Sequence, residues 1–240
     1  MKVLRHLGIA AVMLLALSSC AVAQPTAPPP ASSGPCSWVD RVKPEYELGE
    51  RTTFVLAESY GDSAVQIASC LRVEGGYTQA WTARGLAGKS GFAKPGPVYV
   101  NSLLTPTGSF TVTEAFGREN PGTDLPYQQV AKNSYWGGRA GATFNNYFEG
   151  EGAFPDESLF KYMQAGDYEQ AAVINYNRLP DAQPIHGRTF AIFLHAGMRA
   201  TWGCISTDLE VVERFLQESQ PGDRIVMGVE SEIFEPATTG

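Results

Sequence analysis

Apolar residues in this chain come in short runs of about five or six, cut off by glycine and proline, and that spacing leaves little room for long helices. Residues 52–57, 64–68, 97–100, 109–113, 171–176, 190–195 and 223–228 read as strands, mostly rich in β-branched or aromatic residues. The runs at 171–176 and 190–195 are the most apolar and are expected to be core strands. Thr105-Pro106-Thr107-Gly108, Gly75-Gly76 and the glycines between Gly85 and Gly91 punctuate the intervals; 25 Gly and 16 Pro in 240 residues keep the elements short. Residues 208–218 are the exception: Leu209, Val212, Phe215 and Leu216 fall on one helical face. The spacing predicts a mainly β fold with a helix just after Cys204.

The N-terminus has a different composition. Lys2 and Arg5 precede an apolar run over 7–17 that closes on Leu17-Ser18-Ser19-Cys20. A basic start, a short apolar stretch and small residues form an export signal. The run falls short of the roughly 20 residues that span a bilayer, so cleavage is expected. Leu17 to Cys20 resembles a bacterial lipobox, which would make Cys20 the acylated mature N-terminus; Ala21-Val22-Ala23 offers a competing cleavage site. The expected layout is a signal peptide over 1–19, a lipid-anchored tether rich in Pro, Ala and Ser over 20–35, and one folded domain over 36–240. Such a protein would sit in the cell envelope, on the outer face of the cell membrane. Losing Lys2 and Arg5 takes the net charge from −7 to −9. An acidic chain with no Lys/Arg-rich block lacks the footprint of a nucleic-acid binder.

Outside the cytosol, thiols follow oxidising rules. Setting Cys20 aside leaves Cys36, Cys70 and Cys204, an odd number, so one thiol stays free if the other two pair. Cys36 and Cys70 share the N-terminal half and are taken as the pair; the alternative is that both stay reduced. Either way Cys204 is left over. It sits between an apolar strand and a helix, where backbone N–H groups and a helix dipole favour thiolate. Gly203 before it allows an unusual backbone angle or close approach. His195 ends the preceding strand, where a polar side chain marks a rim. A base within hydrogen-bond reach of a thiol is the minimum for acyl transfer, contributing about 10²–10⁴-fold. His186, in a loop before that strand, is the rival base. Zinc on His186, His195 and Cys204 would have enough ligands in principle, yet no short-spaced pair anchors it, so neither metal nor cofactor is expected.

Asn175-Tyr176-Asn177, the stretch from Gly187 to His195, and Arg199-Ala200-Thr201-Trp202-Gly203-Cys204-Ile205-Ser206-Thr207-Asp208 together resemble the L,D-transpeptidase catalytic domain (YkuD) family, in its actinobacterial-type lipoprotein branch. Leu104-Thr105-Pro106-Thr107-Gly108-Ser109-Phe110 is similar to the family's Thr-Pro-x-Gly-x-Phe turn, and Glu114 to Gly117 extends the match. The resemblance covers most of 99–228. It implies a β-sandwich with one or two helices packed beside the cysteine loop. It also implies that Cys204 attacks a carbonyl of a peptidoglycan stem peptide with His195 as base. A thioester would form and D-alanine leave; an amine would then give a 3-3 cross-link, or water a trimmed stem. By the same resemblance the Gly203 and Cys204 N–H groups form the oxyanion hole, worth about 2.7–4 kcal/mol per donor. Arg199, Thr201, Trp202, Ser206 and Tyr176 would face substrate, Arg199 gripping a carboxylate through two hydrogen bonds.

The chain departs from that pattern at Trp202, where many members have His, and at Ser206, where they have Asn or Arg. The loop from His195 to Cys204 is also short. These departures motivate an alternative: a peptidoglycan-binding lipoprotein of the same fold with weak or no catalysis. Tyr135, Trp136, Asn145, Asn146, Tyr147 and Phe148 form an aromatic insertion that could line a groove or pack a core.

Overall fold

Runs too short for helices satisfy their backbone groups by pairing. In the computed structural model, which describes residues 34–237, they do so as twelve strands beside three short helices. The signal peptide, Cys20 and nearly all of the tether expected from the sequence lie outside the described residues. The fold is mainly β. Strands β1 (Arg51–Ala57), β2 (Ala64–Val73) and β3 (Gly76–Leu86) form an antiparallel meander, with β2 and β3 turning at Gly75 (φ 84°) and Gly76 (φ 151°). Then come β4 (Gly108–Gly117), β5 (Tyr127–Gln129), β6 (Ser134–Trp136), β7 (Tyr147–Glu149) and β8 (Glu157–Ser158). Helix α1 (Leu159–Gln164) leads to β9 (Gln170–Ile174), β10 (Phe193–Ala196), β11 (Ile205–Thr207), α2 (Leu209–Glu218), β12 (Asp223–Val229) and α3 (Glu230–Ile233).

Eight strands run in the order β12-β1-β2-β3-β11-β10-β9-β4, and β12 pairs back onto β4, so the sheet closes on itself with β5 added beside β4. The C-terminal strand makes the closure: β12 is parallel to β1, with Phe54 opposite Val226, and antiparallel to β4, with Ile225 opposite Phe110. The two layers expected of a sandwich are thus walls of one continuous sheet. β6, β7 and β8 form a separate three-stranded sheet.

Successive residues of a strand point to opposite faces, and β9 and β10 are buried on both. Ala172, Ile174 and Leu194 join the largest core with Val55, Ile67, Val112 and Ile225 and with Val212, Phe215 and Leu216 of α2. Ala171, Val173 and Phe193 join a second core with Phe116, Trp136, Leu159, Tyr168 and Cys204. Each fully buried Leu, Ile or Phe contributes roughly 1.5–3 kcal/mol, so a strand buried on both faces holds its register tightly. A third core joins β1 to the N-terminal segment, where Cys36 is disulfide-bonded to Cys70 of β2 across a Cα–Cα distance of 5.4 Å.

Three expectations need amendment. Residues 97–100 form no strand; Tyr99 makes one isolated bridge to Arg188. The run at 190–195 becomes a strand only from Phe193, because Ala191 takes a left-handed φ of 54° that interrupts the extended chain. Between the glycine punctuation at 75–76 and 85–91, where no strand is expected, β3 forms the longest strand among the described residues.

Candidate active site

β10 and β11 lie side by side and parallel, with Leu194 opposite Ile205 and His195 opposite Ser206. Cys204 immediately precedes β11, so the same register sets it level with Phe193. Phe193 and His195, two apart, share a face, and the sulfur and the imidazole are therefore diagonal neighbours on one side of two adjacent strands. That side is the second core, beneath β6, β8 and α1.

The imidazole of His195 is 4% exposed, and its Nδ1 lies 2.6 Å from the Ala196 carbonyl oxygen and 3.1 Å from that of Asp167. Carbonyls only accept, so Nδ1 carries the proton and Nε2 is the lone-pair nitrogen. Burial pushes the His195 pKa below its ordinary value, while the two carbonyls and the Asp167 carboxylate oppose the shift. A neutral imidazole with Nε2 as acceptor is the form a general base needs. Tyr168 packs edge-on to the ring at 5.2 Å between centroids. The Arg199 guanidinium stands 3.0 Å from Asp167 Oδ1, yet at angles that leave this buried oxygen with no hydrogen-bond donor. Gly197 is favoured here by its φ of 104°, which side chains rarely adopt, and a Cβ would also come within 2.9 Å of the same oxygen.

Cys204 is the free thiol among the described residues and is 8% exposed. Its Sγ donates to the Ala191 carbonyl at 3.1 Å, and no hydrogen bond joins it to either histidine. Burial drives the thiol pKa well above its ordinary value and the Glu157 carboxylate adds to the rise; the Phe193 N–H opposes it, and Asp167 adds again. The resting sulfur is a thiol turned to a carbonyl.

The backbone N–H of the same residue, Ala191, is held by Asn145. The Asn145 Oδ1 accepts from the Ala191 N–H at 3.0 Å and from Trp136 Nε1 at 3.0 Å, while Nδ2 donates to the carbonyls of Tyr176 at 3.1 Å and Asn177 at 2.9 Å. All four of its side-chain hydrogen-bonding sites are used, and the left-handed Ala191 is kept in place. Asn145 belonged to the aromatic insertion, and its position in an Asn-Asn pair was the one sequence signal available. Glu157 and Tyr168 gave no signal: Tyr168 Oη donates to Glu157 Oε2 at 2.8 Å across a loop whose path the sequence does not announce.

The remaining sequence-predicted residues separate. Thr201 is buried and works inside the loop, donating to the Cys204 carbonyl at 2.6 Å and accepting from the Gly203 N–H at 3.0 Å. Two expectations change: the Thr201 hydroxyl is engaged within the loop instead of pointing outward, and the Gly203 N–H, expected in an oxyanion hole, is already bonded. Gly203 has φ 151°, and a Cβ there would meet Ile192 Cδ1 at 3.1 Å and the Leu104 carbonyl at 3.2 Å. Ser206 is fully buried and donates to the Arg199 carbonyl at 2.6 Å, closing the loop rather than meeting a substrate. Tyr176 is 9% exposed in the other core; its Oη accepts from the Val98 N–H at 2.8 Å, which makes it a packing residue. Arg199 is exposed but ion-paired with Asp167. Trp202, 68% exposed, is free to meet a ligand. The rival base His186 is exposed and packs edge-on to Phe144 at 5.2 Å. Two surface depressions, of about 230 Å³ beside Trp81 and Arg214 and about 220 Å³ beside Arg118 and Glu213, are lined by residues of neither Cys204 nor its loop.

A mainly β chain with a histidine on one strand and a free cysteine at the head of the next is the description that fold and site support. No protein-family model matches the chain, and no curated protein matches it. Among solved structures it is similar to the helical cell shape determining protein Pgp2 from Campylobacter jejuni, at 15% sequence identity and a TM-score of 0.40, over 79% of this chain. The match spans about half of that protein's chain, 52%.

Proposed function

We propose that this chain is a cysteine acyltransferase of the cell envelope, an L,D-transpeptidase that acts on peptidoglycan stem peptides. It would be exported, and held at the outer face of the membrane by a lipid on Cys20. The single observation behind the reading is the placement of Cys204 and His195 on one face of β10 and β11, with Nδ1 bound to carbonyls and Nε2 left to accept. In the reaction the thiol turns from the Ala191 carbonyl and gives its proton to Nε2 as sulfur bonds to the stem carbonyl carbon. The oxyanion draws on the Cys204 N–H. The C–N bond to D-alanine then breaks, the amine leaving with the proton from His195, and a thioester remains. An incoming amine, losing its proton to Nε2, displaces the sulfur and yields a 3-3 cross-link; water in its place yields a shortened stem.

The test is intact-mass analysis after exposure to a carbapenem, an acyl donor. One covalent adduct on the wild type and none on a folded Cys204→Ala variant is the expected result. No adduct on folded wild type overturns the reading. The bonded thiol and the occupied Gly203 N–H favour a second reading, a peptidoglycan-binding protein without turnover. Retention of the chain on sacculi with no 3-3 linkages or trimmed stems produced would select it.

A further inference from the structure

One carboxyl group lies at this site without a basic partner. Glu157 pairs in register with Trp136, whose indole packs against Phe193 at 4.9 Å between centroids, and Phe193 is the neighbour level with Cys204. Its Oε2 accepts from Tyr168 Oη at 2.8 Å, and the other end of that phenol rests on His195. One aromatic ring therefore separates the carboxyl from the imidazole, and Tyr168, Trp136, Phe193 and Cys204 share a core from which water is largely excluded. Charges in such a place act over longer distances than in water.

We propose that Glu157 is a positioning residue of the Cys204–His195 site: it holds Tyr168 against the imidazole, and its charge decides whether the sulfur can ionise, the carboxylate opposing a thiolate and the carboxylic acid permitting one. The proposal rests on reading Cys204 and His195 as nucleophile and base. Burial lifts the Glu157 carboxyl to about 7, against the opposing pull of the Tyr168 hydrogen bond, so its charge changes near neutral pH. The groups facing it are Tyr168 from the loop before β9, Tyr162 from α1 and Cys204 from the head of β11, while β6 presents the uncharged Trp136. Asp167 and His195 stand beyond Tyr168, Lys161 is exposed on α1, and Arg139 is committed to Asp156 at 2.6 Å. Beyond the imidazolium that His195 itself becomes, and Arg199, which is ion-paired with Asp167, no cation among the described residues offsets a second negative charge. A thiolate formed by proton transfer to Nε2 would meet a carboxylate above neutrality and a neutral acid below it.

The experiment is iodoacetamide labelling of Cys204 in the full, disulfide-intact chain, followed by peptide mass mapping from about pH 5 to about pH 10. Glu157→Gln keeps the acceptor for Tyr168 and removes the charge. Its labelling rate should equal the wild-type rate below about pH 6 and exceed it about tenfold above about pH 8, the effect of one like charge removed. Glu157→Asp should follow the wild type. Tyr168→Phe removes the donor that favours the carboxylate, so the slow regime should begin at higher pH. A Glu157→Gln to wild-type ratio that is flat with pH overturns the proposal, as does a Glu157→Asp curve that tracks Glu157→Gln. If Glu157→Gln fails to fold by circular dichroism, Tyr168→Phe decides: a curve superimposable on the wild type overturns it. Labelling needs no acyl transfer. A pH-dependent ratio in a protein that carbapenem leaves unmodified would sink the transferase alone, and a flat ratio in one that is acylated would sink the role of Glu157 alone.

Discussion

At the scale of single residues, the site depends on a few buried polar groups, and Asn145 is the one most fully engaged. Asn145 satisfies four buried backbone or indole groups at once. Asn145→Ala would leave two donors and two acceptors unpaired, each costing about 1–3 kcal/mol, and should lower stability by on the order of 3 kcal/mol or more in urea denaturation. It should also free Ala191 from its left-handed backbone and speed Cys204 labelling. Glu157 and His195 bear on stability in opposite senses. The Glu157 carboxyl is raised from 4.5 to about 7, so its contribution is complete below about pH 4.5 and is lost as pH rises through about 7. His195 is lowered, so its contribution is present above its ordinary 6.5 and is lost as pH falls through the folded value. Glu157→Gln removes the first effect. Thermal melts should show the wild type losing roughly 5 °C relative to that variant between about pH 5 and about pH 8. Of these residues the sequence exposed Cys204 and His195, one as an unpaired thiol and the other as a polar side chain closing an apolar run. Thr201 and Ser206 stood in the same motif, but which way a hydroxyl turns is set by its nearest free carbonyl. Here the carbonyls of Cys204 and Arg199 lie within the loop itself.

At the scale of elements, local pattern was legible wherever burial was one-sided or complete. α2 shows it: Val212, Phe215 and Leu216 are buried as the 3.6-residue period requires, while Leu209 at its first turn is 36% exposed. β9 and β12 were equally plain, each carrying an apolar stretch, 171–174 and 225–229, behind a polar start. β3 was not, since most of its side chains face solvent and little hydrophobic alternation remains to be read. The strand at 190–195 was read too long because the left-handed Ala191 depends on Asn145, a residue on another element. β12 completes the closed sheet, which makes its core residues costly to truncate. Ile225→Ala should destabilise by about 2–5 kcal/mol, whereas Leu209→Ala should cost under about 1 kcal/mol; chemical denaturation of the two variants checks the contrast.

At the scale of the whole molecule, closure of β12 onto β4 and the Cys36–Cys70 disulfide tie distant parts of the chain together. The disulfide spans a sequence separation of 34, for which chain-entropy reasoning gives roughly 3–4 kcal/mol. Mild reduction should lower the melting temperature by on the order of 10 °C, and the free-thiol count should rise by two over that of the oxidised protein. Composition and short-range pattern by themselves determined that the chain is mainly β, where most strands fall, that a helix follows Cys204, and that one cysteine is left without a partner. These properties depend on neighbouring residues and on counting. Tertiary structure alone decided that the sheet closes, that Cys204 and His195 share a face, that the thiol rests on the carbonyl of Ala191, whose N–H Asn145 holds, and that Glu157 is bonded to the tyrosine that packs on His195. Those follow from register between strands and from loops folding over them, and such long-range contacts are selected by the packing of the entire core rather than by any stretch of residues within it.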